Sequence, residues 1–132
     1  MPAKLHVAHL VLSLDPGGTE TLVIDLVKRM SRLLDVRVCC LDSGGRGAEE
    51  LRRAGIAVDV IGRQPGFDLR VSARLRAIAH EKHVDVVHCH QYSPFVYGRL
   101  AALTLRHVPV VFTEHGRLSD APPSLRRRME SG

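Results

Sequence analysis

Short β-branched runs alternate along this chain with longer stretches whose apolar residues recur every three or four positions. Leu5 to Leu12 (LHVAHLVL) is nearly continuous in apolar character, as expected of a strand covered on both faces. Thr19 to Leu34 follows, with Leu22, Leu26, Met30 and Leu33 on one stripe and Val23, Val27 and Leu34 beside it. That spacing predicts an amphipathic helix with Thr19 or Gly18 as its cap. Val36 to Leu41 reads as a second strand, ended by Asp42-Ser43-Gly44-Gly45. Ala48 to Ala54 reads as a short helix stopped by Gly55, and Ile56 to Ile61 as a third strand closed by Gly62 and Pro65-Gly66. Asp68 caps a helix reaching Lys82, with Val71, Leu75, Ile78 and Ala79 inward. Val84 to Cys89 is the fourth strand. Ser93 as cap and Pro94 in the first turn start a helix to Leu105, and Val108 to Thr113 is the fifth strand.

Five strands with four intervening helices predict an α/β fold. Right-handed βαβ units place about five strands in a Rossmann-like parallel sheet with helices on both faces, in default order 3-2-1-4-5. Residues 1–120 form this domain. Residues 121–132, with Arg126-Arg127-Arg128, form a basic, solvated tail, the alternative being a segment lying on an anionic membrane surface.

Composition narrows the class. The 132 residues are 45% apolar and 25% charged, an ordinary single globular domain rather than a fibrous or disordered chain. The longest stretch free of Asp, Glu, Lys and Arg, Val86 to Gly98, is too short to span a bilayer, and the N-terminus lacks a secretory signal. A cytoplasmic protein is expected, peripheral to the membrane if the tail binds it. Cys39, Cys40 and Cys89 are an odd set with two adjacent members, read as reduced core thiols. Residues 1–120 hold 16 basic against 13 acidic side chains, and Trp is absent, so nucleic acid is not an expected partner.

In an open parallel sheet, ligands bind outside the carboxyl ends of the strands. Three segments there carry chemistry. Asp15-Pro16-Gly17-Gly18-Thr19-Glu20 is a strand-to-helix turn suited to a phosphate, because glycines allow close backbone approach and a helix start offers free N–H groups. A plain tight turn is the alternative. It is neither a Walker loop nor Gly-x-Gly-x-x-Gly, so a nicotinamide site is not expected even though Asp42 ends the second strand. In His88-Cys89-His90-Gln91-Tyr92, alternation puts both histidines on one face. No second ligand pair has metal spacing, so hydrogen-bonded histidines are expected, with His90 free to touch a substrate. Thr113-Glu114-His115-Gly116-Arg117 gathers an acid, an imidazole and a guanidinium at the fifth strand's end.

Ser13-Leu14-Asp15-Pro16-Gly17-Gly18-Thr19-Glu20, Gly66-Phe67-Asp68-Leu69-Arg70, Asp85-Val86-Val87-His88-Cys89-His90 and Thr113-Glu114-His115-Gly116 together resemble glycosyltransferase family 4, in order and at the family's spacing. The resemblance covers residues 3 to about 118. It implies the N-terminal, acceptor-side domain of a retaining GT-B enzyme that uses a nucleoside-diphosphate sugar, a sugar or lipid-linked acceptor, no metal and no cofactor. It further implies Gly17, Gly18 and Thr19 at the donor phosphates and His115 as the catalytic residue beside the transferred sugar. His90, Glu114 and Arg117 would border the acceptor. The family's second domain, with its Glu-x7-Glu motif, is not in the sequence. An inactive half-site is therefore expected, with a separate donor-domain chain as one partner. An unpaired sheet edge would favour a homodimer. The competing expectation is a non-catalytic binding or regulatory module.

Overall fold

The computed structural model describes residues 4–15, 17–105 and 108–113. Along the chain they form β1 (His6–Ser13), α1 (Gly18–Met30), β2 (Asp35–Ser43), α2 (Gly45–Arg53), β3 (Ala57–Val60), α3 (Leu69–Glu81), β4 (Val86–His90), α4 (Tyr92–Ala102) and β5 (Val110–Thr113). All four strand pairings are parallel and the order is β3-β2-β1-β4-β5, so the expected Rossmann-like sheet is the one observed. Residues 121–132 lie outside the described residues.

The direction of strand addition reverses between β3 and β4, and the helices change sides with it. Ala8, Leu10, Cys39, Leu41, Val87 and Cys89 point toward α3 and α4, where Val71, Leu75, Ile78, Tyr97 and Ala101 meet them. The opposite residues of the same strands, Val11, Val38, Cys40 and Val58, pack against Val23 and Val27 of α1 and Ala48 and Leu51 of α2. Burial on both sides explains why the central strands read as unbroken apolar runs. Gly98 lets α4 lie close to the sheet: a Cβ there would come within 2.8 Å of Cys89 Sγ and 2.9 Å of Leu10 Cδ1.

The three cysteines are free and buried, and burial pushes each thiol up to about 12. They are inert core groups rather than nucleophiles. No helix among the described residues is long and apolar enough to cross a membrane.

Three local expectations change. The inward stripe of α1 is Val23 and Val27 with Ile24, not the leucines: Leu22 and Leu33 are 55% and 77% exposed. The stripe beside the leucines is the one that α2 and the sheet can reach. The helix also ends at Met30, where Leu33 and Leu34 N–H both turn back to the Met30 carbonyl. Finally, α4 begins at Tyr92 with Gln91 as its cap, so Ser93 lies inside the helix and Pro94 alone keeps its expected first-turn place. Asp68 caps α3 as expected, its carboxylate accepting from Arg70 N–H at 3.1 Å.

Candidate functional site

Because every strand is parallel, all five carboxyl ends reach one rim, and the described segments with polar chemistry collect there. At the end of β1, Gly17 is the N-cap of α1 and provides no side-chain cap. Its carbonyl accepts from Thr21 N–H at 3.1 Å and from Thr21 Oγ1 at 2.7 Å, and the Glu20 carboxylate folds back beside Gly17. Gly17 is extended, with φ 174°, so glycine is not demanded by the torsion. The turn is braced from α2, where Gly47 N–H donates to the Leu14 carbonyl at 3.0 Å, and from the end of β2, where Ser43 Oγ donates to Asp15 Oδ2 at 3.2 Å.

At the ends of β2 and β3 the rim is closed by a two-pronged ion pair. Arg63 Nε and one terminal guanidinium nitrogen donate to the two Asp42 oxygens at 2.9 and 3.1 Å.

The end of β4 holds an imidazole cluster that spacing alone did not reveal. His9 of β1 lies in register with His88 of β4, and parallel pairing turns both to the same face. His9 Nδ1 and His90 Nε2 are 2.9 Å apart, and His88 Nε2 lies 2.8 Å from Thr113 Oγ1 on β5. Nitrogens of the three rings fall within 4.8 Å of one another, so the third ligand missing from His88-Cys89-His90 does exist, on β1. Both contacts, His9–His90 and His88–Thr113, are of hydrogen-bond length. His9 and His90 are fully buried. Burial, then the nearby His88, lowers His9 to about 3 and keeps it neutral. His9 Nε2 has no partner among the described residues. A proton on Nδ1 leaves only a lone pair unmatched there, so Nδ1 donates and His90 Nε2 accepts. His90 therefore sits at the rim but offers no exposed surface to an acceptor in this arrangement.

Gln91 follows immediately with φ 76° and ψ 167°, a region otherwise almost confined to glycine. Its N–H donates to the Thr113 carbonyl at 3.1 Å, tying the start of α4 to β5. Beyond it, Tyr92 and Tyr97 of α4 face Phe67 and Arg63 from the β3–α3 loop around a cavity of about 240 Å³. Gly66 and Phe67 belong to a segment quoted for the family resemblance and Tyr92 to the His88–Tyr92 segment, but neither segment's chemistry pointed to a shared cavity.

Gly17, His90 and the end of β5 thus share one rim. Gly18 opens α1, while the Thr19 side chain, and residues Glu114, His115 and Arg117 altogether, lie outside the described residues.

Among solved structures, the chain is similar to a glycosyltransferase from Rickettsia africae ESF-5 (TM-score 0.75, 20% identity, covering 97% of this chain and 34% of that one). It is also similar to MurG of Acinetobacter baumannii (TM-score 0.68, 18% identity, 93% and 39%). A third likeness is to Anabaena HepE, solved with UDP and glucose (TM-score 0.70, 25% identity, 92% and 33%). The chain spans between a third and two-fifths of the length of these relatives. No curated protein matches it. The family model for Glycosyltransferase Family 4 matches residues 16–131, a range that takes in all but the first of the five strands, and on that match the chain belongs to glycosyltransferase family 4.

Proposed function

We propose that this chain forms the acceptor-side wall of a retaining sugar-transfer site, the donor wall being a second domain carried on further sequence or on a separate chain. The observation that carries the reading is the glycine turn: the first turn of α1 has no side-chain cap and opens on the same rim as the ends of β4 and β5. A helix start of this kind favours an anion. In the proposed site Gly17, Gly18 and Thr19 meet the diphosphate of a nucleoside-diphosphate sugar. HepE, a structural relative, binds UDP and glucose, which supports that donor class.

His115 then lies beside the transferred sugar and stabilises the positive charge that develops at its anomeric carbon. Glu114 and Arg117 border the acceptor, a sugar or lipid-linked sugar in the cytoplasm. His90 acts from beneath, through the strand end it supports. The bond from the anomeric carbon to the diphosphate oxygen breaks and a bond to the acceptor oxygen forms. The acceptor's proton leaves with the nucleoside diphosphate.

The test is a transfer assay with nucleotide sugars, run on residues 1–132 alone and again with a family donor domain supplied. No turnover is expected from the chain alone. Turnover is expected with the added domain, and His115→Ala should remove it. Robust transfer by 1–132 alone would overturn the half-site reading.

A further inference from the structure

The chain has only five Phe and Tyr side chains and no Trp, and three of the five line one cavity on the rim. Phe67 and Tyr92 are 61% and 49% exposed, so two aromatic surfaces that border a space of about 240 Å³ are left in water. The floor is fixed. Tyr97 is buried, its hydroxyl accepts from Asp68 N–H at 3.1 Å, and Phe67 stacks on it at 5.2 Å with 12° between ring planes. Arg63 Cζ lies 5.7 Å from the centre of the Tyr97 ring.

Three properties select an occupant. The volume is below the usual range for a drug-sized ligand and suits a single ring. Exposed aromatic faces suit a molecule with an apolar face of C–H bonds. Tyr92 and Ser93 add hydroxyls for polar groups around that ring's edge. Charge decides the rest. The lining's cation, Arg63, already holds the Asp42 carboxylate with two hydrogen bonds, so its charge is compensated and it offers little to a phosphate or a carboxylate.

We propose that this cavity is the acceptor subsite and that it takes an uncharged pyranose ring, stacked between Phe67 and Tyr92. This rests on the glycosyltransferase reading for the word acceptor, while the preference for a neutral ring rests on the cavity itself. None of the four sequence motifs' proposed site residues lines it. Phe67 and Tyr92 are thus specificity-determining residues for the acceptor.

The experiment is an amide-resolved NMR titration of the 132-residue chain with neutral methyl pyranosides, and in parallel with glucose 6-phosphate, glucuronate and uridine. The neutral pyranosides should give saturable shifts centred on Phe67, Tyr92 and Ser93, with affinity on the order of millimolar for one ring. Phe67→Ala and Tyr92→Ala should each weaken binding by about tenfold. Leu33→Ala, at an exposed position away from the rim, should not. Both aromatic changes are at exposed positions, and Phe67→Tyr, which keeps a stacking face, should retain binding. Tighter binding of the acidic sugars or of uridine would overturn the proposal. So would neutral-sugar shifts mapping elsewhere, or no saturable shift at all. The transfer assay judges the parent reading separately: transfer that survives Phe67→Ala with an unchanged acceptor KM removes this subsite and leaves the transferase intact.

Discussion

On the α3/α4 side of the sheet, Ala8, Leu10, Val87 and Cys89 meet apolar helix residues. On the α1/α2 side the same strands bury His9 and His90 just as completely, on the face that also carries Val7 and Val11. The apolar contacts of the first face are held by burial, which no change of pH touches, and beside them at the β2–β3 edge lies the Arg37–Asp59 ion pair, at 2.9 Å. The second face is sound only while His9 remains uncharged, because a buried imidazolium has little solvation to replace water. One sheet therefore has an apolar core on one face that is indifferent to acid and a buried imidazole on the other that acid attacks.

The largest effect should come from the apolar face. Leu10 is 2% exposed, and Leu10→Ala should cost about 3 kcal/mol in urea unfolding, by the same amount at neutral and mildly acidic pH. A cost that changed with pH would show that the two faces are not independent.

The next effect is the acid response of the histidine face. Folded His9 titrates near 3 and an unfolded histidine near 6.5, so in between the unfolded chain binds the extra proton. The stabilisation is complete above pH 6.5 and is lost progressively as pH falls toward 3. At pH 5 the loss should be about 2 kcal/mol. His9→Gln should remove that part of the slope, seen by subtracting its stability profile from that of the parent. Parallel profiles would break the contrast between the faces.

The smallest effect is at Gln91, where β4 passes into α4. Holding a non-glycine residue at φ 76° and ψ 167° costs about 1–3 kcal/mol, against which glycine adds some backbone entropy loss. Gln91→Gly should therefore stabilise the chain by about 1 kcal/mol in the same unfolding measurement. A loss of stability would mean that the Gln91 side chain contributes more than its torsion costs.

The apolar face was legible and the histidine face was not. Val71, Leu75, Ile78 and Ala79 recur at helical spacing, and all four are buried as that spacing predicts. Asp68 is a cap by chemistry and a cap in fact. His9 carries no such mark, since its partners are 79 and 81 residues away and a period of two says only which face it shares. Once β1 is placed beside β4, the cluster follows from three histidines of matching parity. Helix rotation was harder: α1 offers two adjacent apolar stripes, and packing against α2 selects the valine one. The cavity of Phe67, Tyr92 and Tyr97 escaped because its two walls come from the β3–α3 loop and from α4, with no periodicity to join them.

Gly98 has a reach beyond its own contacts. It seats α4 against Leu10 and Cys89, and the same helix carries Tyr97 immediately before it and Tyr92 and Ser93 one to two turns earlier. A methyl group added there would act as a shim, lifting the helix and with it one wall of the aromatic recess. The width of a surface recess is thus governed from the interior by a residue no ligand could touch, and selection for a bulkier or slimmer guest could proceed without altering a single contact residue.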